Sequence, residues 1–156
     1  MSVAFRRESD EEHLEPRFEL PLPPGPNIVT PRGYALIEAR KDELEAELAA
    51  ADSDERRKAV QRDLRYWRVR LSSAQIAPPP TGRSVTIGML VTIEQQGRKR
   101  TLTIVGHDEA DPNAGLLAFG SPLGKLLIGT EAGDEVELNG EPLLVVSVEP
   151  STNEAD

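Results

Sequence analysis

Two apolar seams of matching spacing, separated by only a few residues, constrain this 156-residue chain more than any other feature. Tyr34, Ile37, Lys41, Leu44, Leu48 and Ala51 alternate steps of three and four, and so do Val60, Leu64, Trp67, Leu71 and Ala74. That alternation is the seam of a coiled coil. Thr30-Pro31 supplies an N-cap followed by proline at the first helical position, so a helix is predicted from there to about Ala51. A second is predicted from about Glu55 to Gln75. With only Ala51 to Asp54 between them, the two must run antiparallel. Folding about that turn sets Leu44 near Leu64, Lys41 near Trp67 and Ile37 near Leu71. Trp67 then has two readings: a cation–π partner for Lys41, or simply the largest residue of the seam.

The helix surfaces differ in charge. Glu38, Asp42, Glu43, Glu45 and Glu47 lie on the first, and Arg56, Arg57, Lys58, Arg62, Arg65, Arg68 and Arg70 on the second. Pairing across the hairpin needs no partner. Surplus arginines, Arg62 and Arg65 among them, facing a nucleic acid are the alternative.

The flanking segments read differently. Residues 1–29 mix acids with Pro21, Pro23, Pro24 and Pro26, which predicts an extended acidic arm. Its Phe5, Leu14, Phe18, Leu20 and Leu22 give it the option of docking on a surface. After residues 30–76, Ala77 to Gly82 holds three consecutive prolines and reads as a stiff linker. Residues 83–149 read as a single-core α+β domain, an antiparallel sheet with one short helix. Strands are predicted at Val85 to Ile93, Arg100 to Val105, Leu116 to Phe119, Val136 to Leu138 and Leu143 to Val148. Gln95 to Arg98 makes one turn, and Asn139-Gly140 carries the strongest short hairpin signal. Ser121-Pro122 repeats the cap-and-proline signature, with Leu123, Leu126 and Leu127 at helical spacing and Gly129 placed to end the helix. Residues 150–156 form a polar tail.

Composition narrows the function. The chain has no cysteine, hence no disulfide framework, thiolate nucleophile or Cys-based zinc site. No apolar run approaches a membrane span, and the first residues lack the apolar core of a signal peptide. A soluble cytoplasmic protein with no membrane partner is expected. The net charge of −9 argues against wrapping duplex DNA, so DNA binding is at most a minor contact. By segment the charge is −3 for residues 1–29, +1 for 30–76, −5 for 77–150 and −2 beyond. A direct contact with nucleic acid therefore belongs to the hairpin.

The turn from His107 to Gly115 is the first place to look for catalysis. Asp108, Glu109 and Asp111 offer hard oxygen ligands for a cation, or form a solvated loop. His107 has no serine or cysteine placed beside it as a nucleophile.

Four motifs of the domain stand in order: Ile-Val-Gly-x-Asp-Glu-Ala-Asp from Ile104, Ser-Pro-Leu-Gly from Ser121, Leu-Ile-Gly from Leu127, and Gly-Asp-Glu-Val from Gly133. Together with the hairpin, from about Asn27 to Val148, the chain resembles the bacterial transcript cleavage and elongation factors, the GreA/GreB family. The resemblance implies an N-terminal antiparallel coiled coil and a C-terminal domain like the FK506-binding proteins (FKBP-like). It implies RNA polymerase as partner, contact with nascent RNA in the secondary channel, no small-molecule substrate and no active site of its own. Asp52 and Glu55, with Asp54 beside them, would help hold a Mg2+ ion shared with the polymerase, so that the polymerase cleaves backtracked RNA. Asp52-x-x-Glu55 keeps the family spacing. Ala51 departs from the family's glycine, and Arg56-Arg57-Lys58 from its Asn-Ala-Glu. The docking loop falls on Phe119, Gly120, Ser121, Pro122 and Leu123, where Gly120 departs from a polar residue. Prolyl isomerisation is not implied, because the domain's one aromatic residue, Phe119, cannot line a groove.

Each predicted arm has about 20 residues, or about 30 Å. That is shorter than in full-length cleavage factors, so a channel-occupying regulator that competes with other factors without causing cleavage is the alternative. The regulators of nucleoside diphosphate kinase, which share this C-terminal domain, have such a shortened coiled coil.

Overall fold

The computed structural model describes residues 20–151, so the expectations for Phe5, Leu14, Phe18 and residues 152–156 lie outside them. A short strand, β1 (Ile28–Val29), leads into α1 (Pro31–Ala50); α2 (Asp54–Ser73) follows the turn and ends in β2 (Gln75–Ile76). The domain then runs β3 (Met89–Gln95), β4 (Arg98–Val105), β5 (Leu116–Ala118), α3 (Pro122–Leu127), β6 (Glu135–Leu138) and β7 (Glu141–Pro150).

Among the described residues two compact units result: residues 20–24 with Glu38–Ser72, and Gly25–Ile37 with residues 73–151. The division falls inside the helices and not at residues 30 and 76. The reason is local: β1 and β2 pair in parallel, Gln75 N–H donates to Asn27 C=O at 2.8 Å and Ala77 N–H to Val29 C=O at 2.8 Å. The two ends of the hairpin root are thereby tied to each other, and Ile28 and Ala77 beside them pack against the core of the sheet domain.

In the hairpin unit Leu44, Val60 and Leu64 are buried together, with Leu48 and Trp67 packed against them. Trp67 is thus a seam residue; its other ring contact is an edge-on one with Tyr66, centroids 5.1 Å apart. Lys41 instead places its Nζ 3.1 Å from Asp42 and 3.6 Å from Glu45. The hydrogen bond to Asp42, more than any other influence, holds its ammonium above the usual lysine range.

The domain's sheet has the order β5-β4-β3-β7-β6. Three of its pairings are antiparallel as expected, but β4 and β5 are parallel, with Thr103 opposite Leu116 and Val105 opposite Ala118. A tight hairpin would force the antiparallel sense. Here the chain leaves β4, winds through 3-10 turns at His107–Glu109 and Pro112–Ala114, and returns to the side of Thr103 in its original direction. The two predicted hairpin turns do form: Gln96-Gly97 and Asn139-Gly140 all have positive φ, the geometry of the two-residue turns that match strand twist. β3 starts at Met89, later than expected, because Gly88 turns at φ 93°. Val85 bonds instead with Gly129 and Thr130. Its side chain still joins the core of Ile87, Met89, Val91, Ile93, Ile104, Leu127, Leu143 and Val145.

Candidate functional site

The hairpin tip is built from a polar turn. Ser53 caps α2, its Oγ accepting the Arg56 N–H at 3.1 Å, while its C=O accepts from Arg57 N–H at 3.0 Å. Asp52, Ser53, Asp54 and Glu55 are all exposed. Their situations differ. Arg57 Nη1 lies 2.7 Å from Asp54 Oδ1, whereas no ion pair among the described residues engages Asp52 or Glu55. Arg56 is drawn away from the tip acids to Glu47 at 2.9 Å. The tip therefore shows solvent three carboxylates, of which the middle one is paired with an arginine.

Cross-hairpin pairing accounts for part of the basic face. Besides Arg56 with Glu47, Arg68 lies 3.3 Å from Glu45. Such exposed pairs contribute about 0–1 kcal/mol each. Of the two arginines expected to face nucleic acid, Arg62 is half-buried with its Nε 3.6 Å from Asp63, and Arg65 is exposed.

In the sheet domain, the loop of residues 119–123 is held by backbone and side-chain hydrogen bonds. Phe119 N–H donates to Val105 C=O at 3.0 Å, Ser121 Oγ–H to Ala118 C=O at 2.8 Å, and Gly124 N–H to Ser121 Oγ at 3.1 Å. Phe119 and Leu123 turn inward and pack on the core. Gly120 and Pro122 are exposed and Ser121 half-buried, so the outward part of this loop is small and rigid. Gly124 is indispensable to it: a Cβ there would strike the Ala118 carbonyl and come within 2.8 Å of that of Phe119. Gly120, by contrast, faces open space.

In the acidic turn two of the carboxylates hold the chain itself. Glu109 is buried, its carboxylate accepting from Thr30 and from the Gly106 N–H at 3.2 Å. Asp111 caps the second 3-10 turn, accepting from the Asn113 N–H at 3.1 Å. Among the described residues no group of three or more His, Cys, Asp or Glu could hold a metal ion. Sequence reasoning gave Glu109 the wrong surroundings. The available signal was Gly33, third in a helix opened by Thr30, where a helix that caps itself carries Glu or Gln.

These features define a class first: a charged two-helix hairpin with an acidic tip, joined to a small α+β domain that carries a serine–proline loop. Residues 80–149 match the family described as "Transcription elongation factor, GreA/GreB, C-term". The chain is 37% identical over 109 residues to a transcription elongation factor GreA of Desulfovibrio desulfuricans, covering 67% of both chains. To the GreA of Maridesulfovibrio salexigens it is 33% identical over 110 residues, covering 67% of this chain and 69% of the other. Among solved structures, the GreA factor homolog 1 (Gfh1) protein of Thermus thermophilus aligns with 80% of this chain and 99% of its own, at 20% identity and a TM-score of 0.40. On the sequence matches, the chain belongs to the GreA/GreB family of transcription elongation factors. Among the described residues no helix is long and apolar enough to cross a membrane.

Proposed function

We propose that this protein binds bacterial RNA polymerase in the cytoplasm, docks through Gly120, Ser121 and Pro122, and inserts its hairpin into the secondary channel, where it stimulates cleavage of backtracked RNA. The observation that carries this reading is the tip: Asp52 and Glu55 are exposed and free of ion pairs among the described residues, while Asp54 pairs with Arg57. Two carboxylates are too few ligands to hold an ion alone, but they are hard oxygen donors suited to magnesium. They would complete the coordination of an ion held mainly by the polymerase. Such an ion stabilises the attacking and leaving oxygens of a phosphodiester. The factor contributes ligands and position, and the bond is broken in the polymerase. Arg65 is exposed on α2 and Arg62 half-buried, so on exposure alone Arg65 is the better placed to meet the nascent RNA.

A second reading rests on arm length. Each helix has 20 residues, about 30 Å at 1.5 Å per residue. Short arms favour a factor that occupies the channel and excludes longer-armed ones without reaching the catalytic ion. A cleavage assay on a stalled, backtracked elongation complex separates the two. Shortened RNA with the wild-type protein but not with Asp52→Ala/Glu55→Ala supports cleavage. No shortening, with displacement of a longer-armed factor by both proteins, supports the competitor. Absence of any binding to polymerase overturns both.

A further inference from the structure

Thr30 opens α1: its Oγ1 accepts the Gly33 N–H at 2.9 Å, and its C=O the Tyr34 N–H at 2.9 Å. In a capping box the third helical residue is Glu or Gln, and its side chain reaches back to the N–H of the capping residue. The third residue here is Gly33, which has no side chain. The missing acceptor comes from Glu109, 79 positions along the chain, whose Oε2 accepts the Thr30 N–H at 3.3 Å. The Thr30 hydroxyl lies 2.7 and 2.8 Å from the two carboxylate oxygens.

Both partners are shaped for this. A Cβ on Gly33 would fall on the carboxylate, 2.7 Å from its Cδ. A Cβ on Gly106, whose N–H also donates to Glu109, would lie 2.6 Å from the Ile28 C=O. Two close backbone approaches and one buried acid thus join the 3-10 turn after β4 to the strand and helix at the hairpin root. A negative group at this place also suits the positive end of a 20-residue helix.

We propose that Glu109 is a positioning residue for the hairpin: it completes the α1 cap from 79 positions along the chain and ties the hairpin root to the sheet domain, and the hairpin's action depends on that tie. The proposal rests on reading the hairpin as the working arm. Without Glu109 the root keeps a two-residue parallel pairing, the Asn27 to Ser73 hydrogen bond at 3.2 Å and the packing of Ile28 and Ala77 on the sheet core, but no polar bond from the 3-10 turn to the α1 cap. A helix is stiff, so slack at its first turn is carried to its far end.

The cap and the tie can be separated. Glu109→Ala removes both. Gly33→Glu combined with Glu109→Ala restores an ordinary Thr-x-x-Glu box within α1, in the space the carboxylate has left, but does not restore the tie. Glu109→Gln is near-isosteric: its oxygen can accept both N–H groups while its amide donates to the Thr30 hydroxyl, so it serves as the conservative rescue.

For the four proteins, amide hydrogen exchange would be followed over residues 28–30 and 106–110, Trp67 fluorescence would report hairpin folding, and polymerase binding would be measured in competition with a longer-armed GreA. Glu109→Gln is expected to stay near wild type in all three. Glu109→Ala should speed exchange in both segments and weaken competition about tenfold, as when the competent arrangement is populated a tenth of the time. The double variant should recover the Trp67 melting profile but keep fast exchange at Gly106 and the weakened competition. Full recovery of competition in the double variant would overturn the proposal, since a cap alone would then suffice. Unchanged exchange at residues 28–30 and 106 in Glu109→Ala would overturn the tie itself. Should the wild-type protein fail to bind polymerase, the polymerase reading falls, and the exchange data still decide whether the tie exists.

Discussion

Arg57 holds Asp54 from one turn along α2, its Nη1 2.7 Å from Oδ1, and its Nη2 lies 3.5 Å from the Ala51 C=O. One basic residue thus braces the turn and pairs with one of the three tip acids, which stays exposed. The residues after Glu55 depart from the family's motif, yet they leave Asp52 and Glu55 available.

The three acids should therefore differ in effect. Asp54→Asn is expected to retain most of any cleavage stimulation, because that carboxylate is already paired. Asp52→Ala and Glu55→Ala should each reduce it by about tenfold or more, since loss of even an outer partner of a metal ligand has an effect of that size. Single-turnover cleavage rates on one backtracked complex give the ranking. Equal loss with all three substitutions would show that the net charge of the tip matters and not ligation.

The loop before α3 offers a contrast between two glycines four residues apart. Gly124→Ala must push against the Ala118 and Phe119 carbonyls, a backbone obstacle that should cost about 1–3 kcal/mol. Gly120 has open space and no positive φ, so Gly120→Asn should leave thermal stability unchanged. Because it adds a polar side chain on the outward part of the loop, any change in polymerase affinity with Gly120→Asn reports docking and not folding. Differential scanning calorimetry with a binding titration checks both statements.

What could be read from the sequence follows the range of the interactions. Local signals were reliable: Thr30-Pro31 and Ser121-Pro122 open α1 and α3, Asn139-Gly140 turns β6 into β7, and the three-four spacing brings Leu44 and Leu64 into one cluster. Contacts between distant segments were not legible. Pairs of two-residue strands such as Ile28–Val29 and Gln75–Ile76 have no periodicity to betray them. The parallel return of β5 depends on how the two 3-10 turns wind, which composition does not encode. Glu109 looked like its acidic neighbours because only its acceptance of the Thr30 N–H, 79 positions away, sets it apart. The same applies to the loop of residues 119–123. Its cap was evident, but the inward packing of Phe119 and Leu123 depends on the core beneath.

The hairpin has a small core of its own, Leu44, Val60 and Leu64 with Leu48 and Trp67. Leu64 is 1% exposed. Leu64→Ala should therefore cost about 2–4 kcal/mol, within the range for buried leucine truncations. Trp67 is the chain's one tryptophan, so its fluorescence follows the melting of this unit directly. Glu45→Ala, which removes an exposed partner of Arg68, should change the same transition by less than about 1 kcal/mol.

Gly33 gives the sharpest stability test, because ordinary propensity and the structure predict opposite signs. In an exposed helix, Gly→Ala stabilises by about 1 kcal/mol. Gly33 is not exposed: it is buried, and the three nearest atoms to an added Cβ all belong to Glu109. Alanine there must displace a carboxylate that accepts from Thr30 and Gly106, and a charge-assisted hydrogen bond contributes about 1.5–3 kcal/mol. Gly33→Ala is therefore expected to destabilise by about 1–3 kcal/mol. Introduced into Glu109→Ala, the same substitution meets no carboxylate, and the helical preference of alanine should reappear as a small stabilisation. The two effects differ by a coupling energy that a double-mutant cycle in denaturant measures directly. A stabilising Gly33→Ala in the wild-type background would mean that Glu109 does not sit against α1 in solution.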